Sequence, residues 1–340
     1  MNFLVIGAGA IGAYVGGSLA HAGHSVAFLA RPATAAHLRE HGLQLQLEAG
    51  LVRLGAPAVY TSADEALAGG ADVVVFALKA YDTAAALAEL RATGRRPPPI
   101  LCLQNGVDNE AELAAAFGAD QVIAGTITTA VSRRGPGEIA VERKRGAGLA
   151  LGHPLSPALL AALNTASLNA RGYASAPALK WSKLLTNLVG SATAAILDLP
   201  VSDIYADPRL FRLERAMLRE ALAVMRAVGA AVVDLPGTPV RALALGASWL
   251  AFLAQPLLRR GVGSGRGAKR PSLHLDLHSG RGRTEVAWLH GAVARHGEAH
   301  GVRAPVNRVL CDLVNDLSAG RRGVEEFRER PEALLQLING

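Results

Sequence analysis

Residues 2–12, Asn2-Phe3-Leu4-Val5-Ile6-Gly7-Ala8-Gly9-Ala10-Ile11-Gly12, decide the reading of the chain. A short apolar run passes directly into a Gly-x-Gly-x-x-Gly turn, which opens a stretch rich in small residues (Ala13, Gly16, Gly17, Ala20). A strand, a glycine turn and a helix in that order form a dinucleotide-binding fingerprint. Gly7 permits the tight turn, Gly9 lets the backbone approach a pyrophosphate, and Gly12 lets helix and strand pack closely. Phosphates would then lie over the helix N-terminus, against the loop formed by Gly7, Ala8, Gly9, Ala10, Ile11 and Gly12.

Working outward, apolar runs at Phe3–Ile6, Val26–Leu29, Val73–Ala77, Ile100–Leu103 and Val122–Thr126 read as buried parallel strands. Between them Ile11–Ala22, Ala33–His41, Thr83–Ala92 and Glu110–Phe117 read as crossover helices. That alternation predicts a doubly wound α/β sheet. Leu43–Leu54 reads as an inserted hairpin, and Thr128–Leu151 as antiparallel strands that finish the sheet. Beyond Pro177 the texture turns helical, at Lys180–Leu197, Pro208–Gly229, Val240–Leu253, Thr284–Gly301 and Pro305–Leu317. The Gly/Arg-rich piece Arg259–Arg270 reads as a mobile loop. Two domains are therefore expected, 1–175 and 176–340, as the length of 340 residues also suggests.

Composition narrows the function classes. The net charge of +7 sits in short arginine clusters without a nucleic-acid motif, and aromatics are only 4%, so a base-stacking surface is not expected. The two cysteines, Cys102 and Cys311, cannot build a disulfide framework, and the histidines look scattered, so no metal site is expected. The first twenty residues lack the basic start of a signal peptide, and no apolar run is long enough for a transmembrane helix. The expected compartment is the cytoplasm.

The second strand ends in Ala30-Arg31, with no Asp or Glu to accept hydrogen bonds from a ribose. A guanidinium there can clasp a 2′-phosphate, so NADP(H) is the expected cofactor, the alternative being a solvated Arg31 before Pro32. Lys79 and Asn105 follow two other strand ends, and Asn105-Gly106 reads either as a plain turn or as a contact to the nicotinamide ribose. In the helical half, Lys183, Asn187 and Ser191 at i, i+4 and i+8 share one helix face, while nearly every neighbour is apolar. Thr284 caps a following helix in one reading, which makes Glu285 an ordinary first-turn acid.

Taken together, Gly7 to Gly12, Arg31, Lys79, Gln104-Asn105-Gly106, Lys183 with Asn187, Ser272 with Asp276, and Thr284-Glu285 resemble the ketopantoate reductase family along nearly the whole chain. The resemblance implies a Rossmann-type domain followed by an all-helical C-terminal domain, with NADPH and a 2-keto acid meeting in the cleft between them. It implies Lys183 as general acid, Asn187 and Ser272 on the substrate side, and Glu285 completing the polar site, with Ser191 expected beside Asn187 from its place on the same face. The chemistry agrees, because hydride transfer to a ketone leaves charge on oxygen that a cationic donor stabilises and protonates. The chain departs from the family at Pro271, Leu273 and His274, and at Ser191. Another 2-keto acid, or a non-catalytic NADP-binding sensor, are the competing readings. A small-molecule substrate is the expected partner, without membrane or nucleic acid, and a homodimer is left open.

Overall fold

The strand β1 (Asn2–Ile6) lies inside an eight-stranded sheet in the computed structural model of the chain, which describes residues 1–248 and 270–339. Its other members are β2 (Ser25–Leu29), β5 (Ala58–Tyr60), β6 (Val73–Phe76), β7 (Ile100–Cys102), β8 (Val122–Ile127), β11 (Ala147–Ala150) and β12 (Ala170–Tyr173). The order is β12-β11-β8-β7-β6-β1-β2-β5, and the six strands from β8 to β5 are all parallel. Numbered along the chain, those six follow the 3-2-1-4-5-6 order of doubly wound dinucleotide folds, which reverses between β1 and β6. Phe3–Ile6 and Val73–Phe76 are buried throughout because the sheet is covered on both faces, hence their unbroken apolar sequence. The helices α1 (Ala10–His21), α2 (Pro32–His41), α3 (Ala63–Ala68), α4 (Thr83–Ala92), α5 (Asn109–Phe117) and α6 (Ser156–Thr165) intervene.

The segment expected to finish the sheet does so only in part. The strand β11 pairs antiparallel with β8, but β9 (Ala130–Gly135) and β10 (Glu138–Arg143) leave the main sheet. They join the inserted hairpin of β3 (Leu43–Leu47) and β4 (Gly50–Leu54) in a second sheet ordered β4-β3-β10-β9. The pairing of β10 with β3 spans about ninety residues of sequence, so no local pattern announces it. The small residues of α1 mark its close packing: a Cβ on Gly16 would press on Phe28 at 2.8 Å, and one on Gly17 on Leu45 at 2.7 Å.

Residues 1–180, with Leu235–Thr238, form one unit, and Trp181–Asp234 with Pro239–Gly340 form the other. The second unit contains the rest of α7 (Ala176–Leu188), then α8 (Ser191–Leu197), α9 (Val201–Ala206), α10 (Pro208–Ala227), α11 (Val240–Ser248), α12 (Ser272–Leu277), α13 (His290–Ala299), α14 (Pro305–Ser318) and α15 (Pro331–Asn339). The start of α10 is encoded locally: Pro208 occupies its first turn and the Asp207 carboxylate accepts from the Arg209 amide at 2.7 Å. The end of the expected helix Val240–Leu253, and the Gly/Arg stretch up to residue 269, lie outside the described residues. Among the described residues no helix is long and apolar enough to cross a membrane.

Two expected helices are interrupted. Lys180–Leu197 is not continuous: Gly190 adopts φ +61° and separates α7 from α8. Buried Glu214 holds this break, accepting from the Gly190 amide at 2.7 Å, the Thr193 hydroxyl at 2.6 Å and the Tyr205 hydroxyl at 3.2 Å. A Cβ at Gly190 would lie 2.6 Å from Val201, so only glycine fits this left-handed turn. Thr284–Gly301 likewise begins as a 3-10 turn at Val286–Trp288 before α13 starts at His290.

Candidate functional site

In the first unit, the carboxyl ends of β2, β1, β6 and β7 are neighbours in the sheet, and the sequence places Arg31, the glycine turn, Lys79 and Asn105 at those four ends. Gly7 has φ +100° and its amide donates to the Leu29 carbonyl at 3.1 Å. A Cβ on Gly12 would sit 1.9 Å from the Gly7 carbonyl oxygen, so only glycine lets the helix start this close to the strand. At Gly9, by contrast, a Cβ would meet nothing within 4 Å. Ala8, Gly9, Ala10 and Ile11 line this opening half-buried, and α1 begins with neither a side-chain cap nor an acid in its first turn. Its first amides and its dipole thus favour an anion. These features fit the pyrophosphate of a dinucleotide.

Arg31 precedes α2, with a side chain 80% exposed whose Nη2 meets Asp82 Oδ2 at 3.0 Å. Lys79 sits half-buried before a 3-10 turn, Ala80–Asp82. The Asn105 carbonyl accepts from Asn109 Nδ2 at 2.6 Å, and the buried Gln104 side chain donates to the Leu78 carbonyl at 3.2 Å and to the Thr83 hydroxyl at 2.8 Å. The two strand-end turns are therefore tied together by a side chain that the sequence motif contains but gives no role.

Lys180 was missed as well. Its ammonium, in a side chain 4% exposed, donates to the carbonyls of Gln104 at 2.6 Å and Gly125 at 3.3 Å and pairs with Glu110 Oε1 at 2.7 Å. Burial opposes its charge, but Glu110, with Cys102 beside it, outweighs burial and holds the ammonium above the ordinary lysine range. The Cys102 thiol is pushed well up by its burial, with Glu110 adding to the effect, which leaves it a poor nucleophile.

In the second unit, from Trp181 to Leu188, only Lys183, Thr186 and Asn187 of α7 are not fully buried. They fall at i, i+3 and i+4 and so share one face. Ser191 does not continue that stripe: it is 2% exposed on α8, beyond the Gly190 break, because helical spacing does not carry across a left-handed residue. Glu285 is 3% exposed and precedes the 3-10 turn, whose Val286 amide donates to Thr284 Oγ1 at 3.4 Å. It is therefore not a first-turn acid of an α-helix. Ser272 is exposed in the first turn of α12.

The histidines are less scattered than the sequence suggests. His274 Nε2 lies 2.7 Å from Asp198 Oδ1, and the His274 and His278 rings stack at 4.3 Å, so these three residues bring their ligand atoms within 4.8 Å of one another. The Arg270 guanidinium, however, contacts both Asp198 and His274, and Arg328 Nε lies 3.3 Å from the other Asp198 oxygen. Two guanidiniums face the single carboxylate, so in this arrangement ion pairs tie α12 to the end of α8.

The family described as ketopantoate reductase PanE/ApbA matches residues 3–152, and its C-terminal counterpart matches residues 177–318. A 2-dehydropantoate 2-reductase of Halobacterium salinarum is 32% identical over 325 residues, covering 92% of this chain and 98% of its own. Among solved structures, a PanE/ApbA family ketopantoate reductase from Ralstonia eutropha superposes with a TM-score of 0.81 at 26% identity, covering 94% of this chain and 99% of that one. D-mandelate dehydrogenase, solved with NADH and anilino(oxo)acetate, shares the fold at a TM-score of 0.76 and 20% identity, covering 94% of this chain and 99% of its own. With both halves matched and a relative of this similarity spanning nearly its full length, the chain belongs to the ketopantoate reductase family.

Proposed function

We propose that the protein reduces 2-dehydropantoate to pantoate with NADPH. The observation that carries this reading is the accessible face of α7: on an otherwise buried helix of a chain 32% identical to a 2-dehydropantoate 2-reductase, Lys183 and Asn187 stay open together. A buried helix that keeps a lysine accessible beside an amide has a use for both.

The cofactor reading rests on the open cradle at Gly9, the uncapped start of α1 and the absence of an acid after β2. Gly7, Ala8, Gly9, Ala10, Ile11 and Gly12 would hold the pyrophosphate, Arg31 the 2′-phosphate, and Lys79 and Asn105 the nicotinamide end. When bound, the dihydronicotinamide supplies the hydride. Lys183 Nζ donates its proton to the ketone oxygen as negative charge develops there. Asn187 and Ser272 fix the carboxylate and hydroxyl groups of the substrate, Ser191 supports them from α8, and Glu285 keeps the lysine charged and oriented.

A second reading, reduction of a different 2-keto acid, is favoured by one observation: His274, bound into the Asp198 and Arg270 network, anchors the helix that carries Ser272. The test is NADPH oxidation with ketopantoate beside pyruvate, oxaloacetate and benzoylformate. A much larger kcat/KM for ketopantoate is the expected result. A preference for another acid establishes the second reading, and tight NADPH binding without turnover of any acid points to a sensor.

A further inference from the structure

Three acceptors surround one buried ammonium. Parallel pairing of β7 with β8 ends at Cys102 and Ala124, and just beyond that point Lys180 Nζ donates to the Gln104 carbonyl on the β7 side and the Gly125 carbonyl on the β8 side. Glu110 Oε1 lies 2.7 Å from the same nitrogen as its ion-pair partner. An ammonium has three donors and no more. Two go to the carbonyls, and the charge is balanced by a carboxylate only 18% exposed, so the group cannot turn to a substrate without breaking a buried pair.

What this ammonium holds is the backbone of the turn that carries Asn105. The Gln104 carbonyl belongs to the peptide whose nitrogen is Asn105's, so fixing that oxygen fixes the plane from which the Asn105 side chain departs. The neighbouring constraints point the same way. Asn109 Nδ2 holds the Asn105 carbonyl at 2.6 Å, and Gln104 Nε2 ties the turn to the Leu78 carbonyl, next to Lys79. Lys180 brings a charge to this set, and its bonds reach back 76 and 55 residues to the ends of β7 and β8.

We propose that Lys180 is a positioning residue for the nicotinamide end of the cofactor, acting through the Gln104-Asn105 peptide, and that its role is separate from that of Lys183 one helical turn later. The inference rests on the proposed cofactor reading of Asn105. Removing the ammonium frees the turn and weakens contacts at the nicotinamide ribose, while the adenosine end, held by other residues, is untouched.

The experiment uses the full chain with Lys180→Met/Glu110→Gln, which removes both charges together and leaves neither buried ion unpaired. Binding of NADPH, followed by its fluorescence, is expected to weaken about tenfold, and binding of adenosine 2′,5′-bisphosphate, which lacks the nicotinamide half, to stay within about twofold. Glu110→Gln alone leaves the buried ammonium without its carboxylate, which lowers the melting temperature, but Nζ stays on both carbonyls and both affinities of the folded protein stay near the wild type. A tenfold loss in that variant too assigns the effect to the ion pair and overturns the clamp. A lower melting temperature with unchanged NADPH affinity in the double variant makes Lys180 merely structural and also overturns the proposal. Asn105→Ala separates the proposal from the reading beneath it. If this change weakens NADPH and the Lys180 change does not, the Lys180 proposal fails and the reading stands. If it has no effect while the Lys180 change weakens NADPH, the cofactor role of Asn105 fails, and with it the route proposed for Lys180. Joint support requires that the two changes, combined, weaken NADPH no more than either alone.

Discussion

Arg31 Nη2 donates to Asp82 Oδ2 at 3.0 Å, so the guanidinium that follows β2 is paired with the acid that closes the 3-10 turn after β6. The arginine side chain is 80% exposed and the aspartate 20%, which limits the pair to about 0–1 kcal/mol. A 2′-phosphate offers the same guanidinium a doubly charged, bidentate partner. Arg31→Ala is therefore expected to raise the KM for NADPH by the equivalent of about 1.5–3 kcal/mol and to change that for NADH little. Asp82→Asn acts in the opposite direction on NADPH, by no more than a few fold. Equal losses with both cofactors in the alanine variant would mean that Arg31 does not read the phosphate.

A second prediction concerns stability against pH. His290 is fully buried, its Nδ1 bonded to Asn307 Oδ1 at 3.1 Å, and burial pulls its pKa from 6.5 down to about 4. The depressed value means that the unfolded chain takes up a proton first. Stability is thus lost as pH falls from about 6.5 towards 4, by about 3 kcal/mol in all, and is level below that window. Urea unfolding at a series of pH values, compared with His290→Gln, measures it. The variant is less stable at neutral pH but flatter across the window, and parallel curves for the two proteins would remove His290 as the cause.

How much of this was legible in the sequence follows the range of the interactions. The Gly7 to Gly12 turn and the start of α10 at Asp207-Pro208 are decided within a few residues, and both were readable as local chemistry. The break at Gly190 was not, because Glu214, which holds it, comes 24 residues later. The second sheet escaped for the same reason, since the pairing of β10 with β3 is not a local event. Of two lysines one turn apart, the spacing rule picked Lys183, whose helix face is polar. Lys180 received no role from the sequence, and only partners 55–76 residues away reveal that it is buried and paired. Arg31 could be read from its strand end, but its pairing with Asp82 could not.

Glu285 is the acid whose placement changed most. It is 3% exposed and stands before a 3-10 turn, so the helix-capping role that competed for it has no α-helix to act on. If it keeps Lys183 charged and oriented, Glu285→Gln preserves shape and most hydrogen bonds but removes the charge. The expected outcome is a large loss in kcat/KM with nearly unchanged melting temperature. Lower stability with normal turnover would return Glu285 to a structural role.

The sharpest prediction ties the mechanism to the Lys183 ammonium. On α7 the lysine is half-buried with Thr186 and Asn187 beside it, and its backbone carbonyl is occupied by the Thr186 hydroxyl at 2.7 Å. If Nζ protonates the developing alkoxide, Lys183→Ala lowers kcat by about 10²–10⁴-fold, the range of general acid catalysis. NADPH affinity stays nearly intact, because the residues proposed to hold the cofactor belong to the other unit. Lys183→Arg does not restore the rate, since a guanidinium keeps its proton at working pH and presents it in a different geometry. In the wild type the reductive rate falls on the alkaline side as the ammonium gives up its proton, and that limb is absent from the alanine variant. It persists in the Lys180→Met/Glu110→Gln protein, where the acid is untouched, so the pH profile separates the two lysines even if both variants are slow. Were Lys183 instead a structural residue of its helix, the alanine variant would melt earlier while its folded fraction turned over normally. That result would take Lys183 out of the mechanism.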